Sequence, residues 1–328
     1  MIGEMFALLS AACFGLAGAA IAKGAPQAQG DNGAFLSILL TLLLAAIVWF
    51  VGGSAEGLPE TGDALISGIA FFVTSGVLAT VLGRLTNFKS IALAGAIRAG
   101  LLRRLIPVFS TILAVVFLGE RYGVIPAIGM GLILVSVALT LREKAPAAFG
   151  NFALLSQSRI RMGAVLGALC ALFYALAYVA RKLAMEHIPD AAFGAMVGAV
   201  TGVVWYLCAA PFSLGFRNSL VRVLGDAGVW QWVAATSMSL GQLLLFFALK
   251  HTDVAVVAII GTTEIFIGVY LAAFLLKTEP RPGRYIVMAT LLASIGVSLV
   301  ALGQTGLEIG LEPARSLLLV RAGQVPAP

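Results

Sequence analysis

The sequence predicts an all-α membrane protein of ten transmembrane helices, arranged as two inverted five-helix repeats. Three observations carry this expectation. Of the 328 residues, 60% are hydrophobic and 11% charged, whereas a soluble domain carries roughly 25% charged residues. The apolar residues fall into ten runs, each near the ~20 residues that cross a ~30 Å hydrocarbon layer as a helix. The chain also divides near its middle, and short patterns on either side recur at an offset of 160 residues.

The runs cover 5–22, 34–51, 64–83, 91–118, 123–141, 162–180, 191–212, 229–249, 254–276 and 285–303. Glu4 precedes the first run and no Lys or Arg does, so the run reads as a retained helix rather than a signal peptide. Ala25-Pro26 through Gly33, Gly52-Gly53 through Gly62 and Glu279-Pro280-Arg281-Pro282-Gly283 are polar or rich in Gly and Pro, as loops should be. The longest link, Arg142 to Arg161, separates the halves. Residues 1–145 form the first repeat, 146–161 the connection, 162–303 the second repeat and 304–328 a polar C-terminal tail. GEMFALLSAACFGLAGAAIAKGA from Gly3 resembles GAVLGALCALFYALAYVARKLA from Gly163, and FLGE at Phe117–Glu120 recurs loosely as FLLKTE at Phe274–Glu279. An odd number of helices per copy inserts the two copies with opposite orientation.

The composition also excludes several chemistries. The net charge is +6, but Lys and Arg lie mostly between apolar runs, where they orient helices rather than bind nucleic acid. Cys13, Cys170 and Cys208 fall inside apolar runs and read as small buried hydrophobes. His187 and His251 stand far apart without a ligand at metal spacing, and no phosphate-binding Gly-rich loop with Lys is present. No metal, no cofactor and no enzymatic activity are expected.

Two five-helix copies, a fourth helix containing Pro107 and ending Leu118-Gly119-Glu120-Arg121, and then Gly129-Met130-Gly131-Leu132-Ile133-Leu134 resemble the EamA-type members of the drug/metabolite transporter superfamily. The resemblance covers residues 3 to 303. In the second copy Phe266 stands where a proline is expected, and Lys277-Thr278 replaces the glycine before Glu279, so the subfamily stays open. The resemblance implies a multi-pass protein of a cell membrane of the bacterial inner-membrane type. It further implies that helices 4 and 9, with 1, 3, 6 and 8, line a path for a small solute.

Orientation is read in two ways. Outside helix 4, one face of the membrane carries twelve Lys and Arg and the other six, which puts both termini outside by the positive-inside rule. The resemblance puts both termini in the cytoplasm.

Function should reside in polar groups that face the bundle interior, because a charge at mid-bilayer costs between about 3 and more than 10 kcal/mol. The stretch Ser90–Arg121 reads as one helix holding Arg98, Arg103 and Arg104 in its first half. Arg103, Pro107, Ser110 and Ala114 share a helical face, and Pro107 frees a carbonyl near Arg103. At about 100° per residue the three arginines point in different directions; the alternative is that helix 4 begins only near Leu105 and the arginines, Arg98 above all, are loop or snorkelling groups. On helix 9, Glu264 falls near mid-bilayer in a stripe with Gly261, Gly268 and Ala272. At an offset of 160 its counterpart is Arg104. A buried pair of Glu264 with Arg104 or Arg103 is expected, with Glu264 as coupling group; a static pair fixing helix register is the alternative. Arg103, Arg104, Glu264, Ser110 and Gln242 are the substrate-binding candidates, and Glu120 and Glu279 the gates.

The expected function is secondary-active transport of a small metabolite, an amino acid or organic anion, by alternating access. The alternatives are a cationic drug/proton antiporter, a channel or a non-transporting membrane scaffold. Expected partners are the solute, membrane lipids and protons as candidate coupling ion, with the chain a monomer or homodimer.

Overall fold

The structure is a computed structural model that describes residues 1–24, 33–52, 62–94, 102–103, 105–120, 122–140, 157–225, 228–277 and 282–300. Within these residues the regular structure is helical. The first half contains α1 (Ile2–Gly24), α2 (Ala34–Val51), α3 (Gly62–Gly76), α4 (Arg84–Ala94), α5 (Ile106–Leu113) and α6 (Val124–Thr140). The second contains α7 (Gln157–His187), α8 (Ala191–Ala209), α9 (Leu214–Val221), α10 (Val229–His251), α11 (Val254–Gly261), α12 (Glu264–Tyr270) and α13 (Arg284–Val300). Seven helical spans are long and apolar enough to cross a membrane, and Ile106–Leu118, Val124–Ser136 and Arg284–Val300 are shorter apolar helices.

Local signals account for several boundaries. Asp190 caps α8 by accepting a hydrogen bond from the Phe193 N–H at 2.9 Å. Gly119, in the expected exit of helix 4, has φ 66° and ends the π-helical turn Ala114–Leu118 that continues α5. Large apolar side chains such as Leu43, Ile47, Ile112, Val116, Leu207 and Leu291 point outward. On a soluble protein so much exposed apolar surface would drive aggregation; in hydrocarbon it is the solvated face.

Inside, Phe72, Ile188, Leu249, Val254, Val257 and Ile260 form part of one buried cluster. Because lipid chains are as apolar as leucine, close backbone approach does much of the packing. A Cβ on Gly15 of α1 would fall 2.8 Å from the Glu264 carbonyl oxygen and 2.9 Å from the Gly268 nitrogen. A Cβ on Gly129 of α6 would lie 2.6 Å from the Gly296 carbonyl oxygen of α13. Both contacts require glycine.

The helical boundaries correct four expectations. Ser90–Ala94 do not begin helix 4: they close α4, which continues α3 through the π-helical turn Val77–Gly83. The apolar run 91–118 therefore bridges two helices, because composition alone does not mark a turn between apolar segments. Pro107 sits in the first turn of α5 and frees no mid-helix carbonyl near Arg103; there its missing N–H has no intrahelical partner to lose. The run 254–276 is broken after Gly261, where Thr262 and Thr263 form a turn before α12. Arg181 and Lys182, which follow the apolar run 162–180 and so read as loop residues, lie inside α7, which runs on to His187.

Candidate functional site

A cavity of about 910 Å³ lies among α1, α2, α4, α7, α8 and α10, lined on one flank by Arg103, Ile106 and Pro107 and by the α11–α12 break. It reaches one end of the bundle at Gly33, before α2, and at Asn87, where the apolar span Gly62–Asn87 ends. Its other limit is set by Ala7 of α1 and Arg181 of α7.

That second end is bound together by polar contacts from helices distant in sequence. The Lys182 ammonium donates to the carbonyls of Leu249 and Thr252, each at 2.9 Å, and so satisfies the C-terminus of α10. The Thr252 hydroxyl donates to the buried Glu4 carboxylate at 3.3 Å. Glu120, beyond α5, accepts the Val254 N–H of α11 at 2.9 Å. The Tyr122 hydroxyl donates to the other oxygen of Glu120. Burial first, and the Glu120 carboxylate second, raise the Tyr122 pKa above the ordinary phenol value.

The described charged residues lining the cavity are Arg84, Arg103, Arg181 and Glu264. Arg84 donates to the Tyr206 hydroxyl at 3.3 Å near the open end. Arg103 stands with its guanidinium carbon 5.7 Å from the Tyr174 ring centroid. Arg103 and Glu264 both line the cavity, and among the described residues no direct ion pair joins them.

Glu264 is brought there by the break. The hydroxyls of Thr262 and Thr263 donate to the carbonyls of Ile259 and Ile260, each at 2.7 Å, and their N–H groups bond the same carbonyls at 3.0 Å. These carbonyls thus keep partners while α12 restarts with Glu264 as its first residue. The Gly-Thr-Thr sequence before Glu264 is the signal that could have announced the turn.

Arg181 is the functional candidate that sequence reasoning missed. It is 5% exposed, lines the cavity, and its Nε and Nη1 have no hydrogen-bond partner among the described residues. Its guanidinium carbon lies 4.6 Å from the Phe246 ring centroid and 5.8 Å from that of Tyr178.

Of the residues expected to bind substrate, Arg103, Glu264 and Gln242 line the cavity. Ser110 does not: it is fully buried and packed away from the lumen, although it shares a helical face with Arg103 and Pro107. Deeper along α5 that face meets α7 and α11 instead of open space. In the small-residue stripe, Gly261 and Glu264 line the cavity, whereas Gly268 packs on Gly15 and Ala272 is buried beside Ala19. Arg98, Arg104 and Glu279 lie outside the described residues, so the pairing of Arg104 with Glu264 and the Glu279 gate do as well. Among the described residues no group of three His, Cys, Asp or Glu side chains is placed to hold a metal ion.

A family model described as the EamA-like transporter family matches residues 1–142 and again 161–302. A solved structure described only as "Crystal structure of protein" superposes with a TM-score of 0.65 at 17% identity, over 92% of this chain and 96% of that one. At that identity the likeness concerns the fold. The search of curated proteins gives no match.

Proposed function

Because the chain belongs to the EamA-like transporter family, whose model matches both of its halves, we propose that it is a secondary-active transporter. It carries a small metabolite, an amino acid or organic anion, across a cell membrane of the bacterial inner-membrane type. Members of the family are transporters, and the chain is a multi-pass membrane protein. The single observation that supports the finer reading is the cavity. Its lining runs from Gly33 and Asn87 to Arg181, which adjoins Lys182 in the chain, and Lys182, Glu4 and Glu120 contact α10, α11 and the residues between them.

Alternating access is the mechanism that suits such a one-sided cavity. Among the described residues five apolar helices fall within each matched segment, in keeping with two inverted repeats that rock about the central site. In the complementary state the Glu120–Val254 contact separates and the end near Gly33 closes. Glu264 is the proposed coupling group, with Arg103 as the charge against which it works. Among the described residues three arginines against one carboxylate give the lined space an excess of positive charge, which favours anionic solutes over the cationic drugs of an antiporter.

Counterflow in proteoliposomes, screened against amino acids, organic acids and organic cations, tests the proposal. Saturable uptake of an amino acid or organic acid is expected. Flux confined to cations would replace it with the antiporter reading, and absence of any saturable flux would leave a scaffold.

A further inference from the structure

We infer that Arg181 is the anion anchor of the cavity, taking the carboxylate of a monoanionic solute whose apolar body lies along the cavity wall. Two other described cations in or beside the cavity have hydrogen-bond partners: Arg84 donates to Tyr206 and Lys182 to two carbonyls. Arg103, which stands beside the Tyr174 ring, is exposed where Arg181 is buried. Arg181 lies adjacent in sequence to Lys182 and is the more deeply buried, yet its Nε and Nη1 are unpartnered among the described residues.

A desolvated guanidinium without hydrogen-bond acceptors costs several kcal/mol, and the neighbouring rings do not remove that cost. Contacts with Phe246 and Tyr178 stabilise the charge but leave the N–H donors unused. What either donor matches is a carboxylate oxygen: a guanidinium takes a carboxylate side-on through Nε and Nη2 or end-on through Nη1 and Nη2, so one of the unused donors would act together with Nη2. Arg181 shares the cavity lining with Arg84 and Arg103. Phe14, Ile38, Leu245 and Val257 supply apolar wall in the same space, which suits an apolar body behind the charged head. A single unpartnered guanidinium fits a singly charged carboxylate better than a dianionic phosphate, which calls for a cluster of cations.

The inference rests on the transporter reading only for the steps after binding, so its test needs no flux. Purified full chain in detergent is titrated with 3-phenylpropionate, its uncharged isostere 3-phenylpropionamide, and phenyl phosphate, and the shift in melting temperature is measured against concentration. Stabilisation by the carboxylate and not by the amide is expected. Arg181→Gln should weaken carboxylate binding by roughly 10- to 100-fold, with Arg181→Lys falling between. Equal stabilisation by the amide, stronger stabilisation by phenyl phosphate, no response to the carboxylate, or unchanged affinity in Arg181→Gln would each overturn the assignment. The comparison of carboxylate with amide on the unaltered chain decides the matter if neither variant purifies. Loss of all counterflow with carboxylate binding intact would refute transport and leave the anchor standing, whereas transport unaffected by Arg181→Gln would refute the anchor alone.

Discussion

Replacing Glu120 with alanine should loosen the sealed end of the cavity, and the size of the effect can be worked from its contacts. The Glu120 carboxylate accepts two hydrogen bonds. The bond from Tyr122 is local to the segment after α5, so a separation of Glu120 from α11 would leave it in place. The bond from the Val254 N–H crosses to α11, where the N-cap residue Asp253 makes no side-chain cap bond of its own, so Glu120 serves as the cap from another helix. A hydrogen bond to a charged group contributes about 1.5–3 kcal/mol, and the partial exposure of Glu120 argues for the lower end. At ~1.4 kcal/mol per factor of ten, losing it shifts the closed-to-open equilibrium about tenfold. The assay is labelling of Ala7→Cys, on the cavity wall, by a membrane-impermeant maleimide added on the sealed side, with Cys13, Cys170 and Cys208 replaced. The labelling rate should rise about tenfold in Glu120→Ala and less in Glu120→Gln, which keeps an acceptor but loses the charge. An unchanged rate in Glu120→Ala would refute the idea that this contact seals the end.

Three further outcomes are expected. Gly15→Ala forces a methyl group against the backbone of Glu264 and Gly268; backbone cannot yield as a side chain can, so the variant should lose about 1–3 kcal/mol of stability, read as a lower melting temperature, whereas Gly18→Ala, which has open space around it, should not. Glu264→Gln should abolish proton-coupled uptake at normal expression, and full activity would exclude a coupling role. Tyr122 has a folded-state pKa raised above its unfolded value, so its contribution is complete below the ordinary phenol value of about 10 and is lost as pH rises through the folded value; Tyr122→Phe should therefore lose less melting temperature than the parent chain above that pH, and parallel curves would contradict the assignment.

The two ends of α7 explain why Arg181 escaped the sequence. A charge pair after an apolar run looks like a loop, because a hydropathy pattern records where apolar residues stop and not where the backbone leaves its helix. Whether Arg181 sits in headgroups or in a cavity depends on Phe246 of α10 and Tyr178 of its own helix closing around it. Ser110 failed in the opposite way. Its spacing from Arg103 and Pro107 is correct for one face, yet periodicity gives an angle around a helix and says nothing of what lies opposite at each depth. Gly268 and Gly15 show the same division: the stripe of small residues was visible, but its partner lies more than two hundred positions away in the chain.

By itself, then, the sequence determined the properties that depend on local composition and spacing. Runs of apolar residues require a helical membrane protein, since hydrocarbon leaves backbone groups no other partners. The duplicated pattern, the Gly119-Glu120 exit and the charged residues Arg103 and Glu264 beside or within apolar runs were legible for the same reason. Only the tertiary structure decided which charges meet the lumen, where the ninth apolar run breaks, and which end of the cavity is sealed. Those outcomes depend on contacts between helices far apart in the chain, and a charge buried in lipid-spanning protein takes its meaning from the groups that surround it.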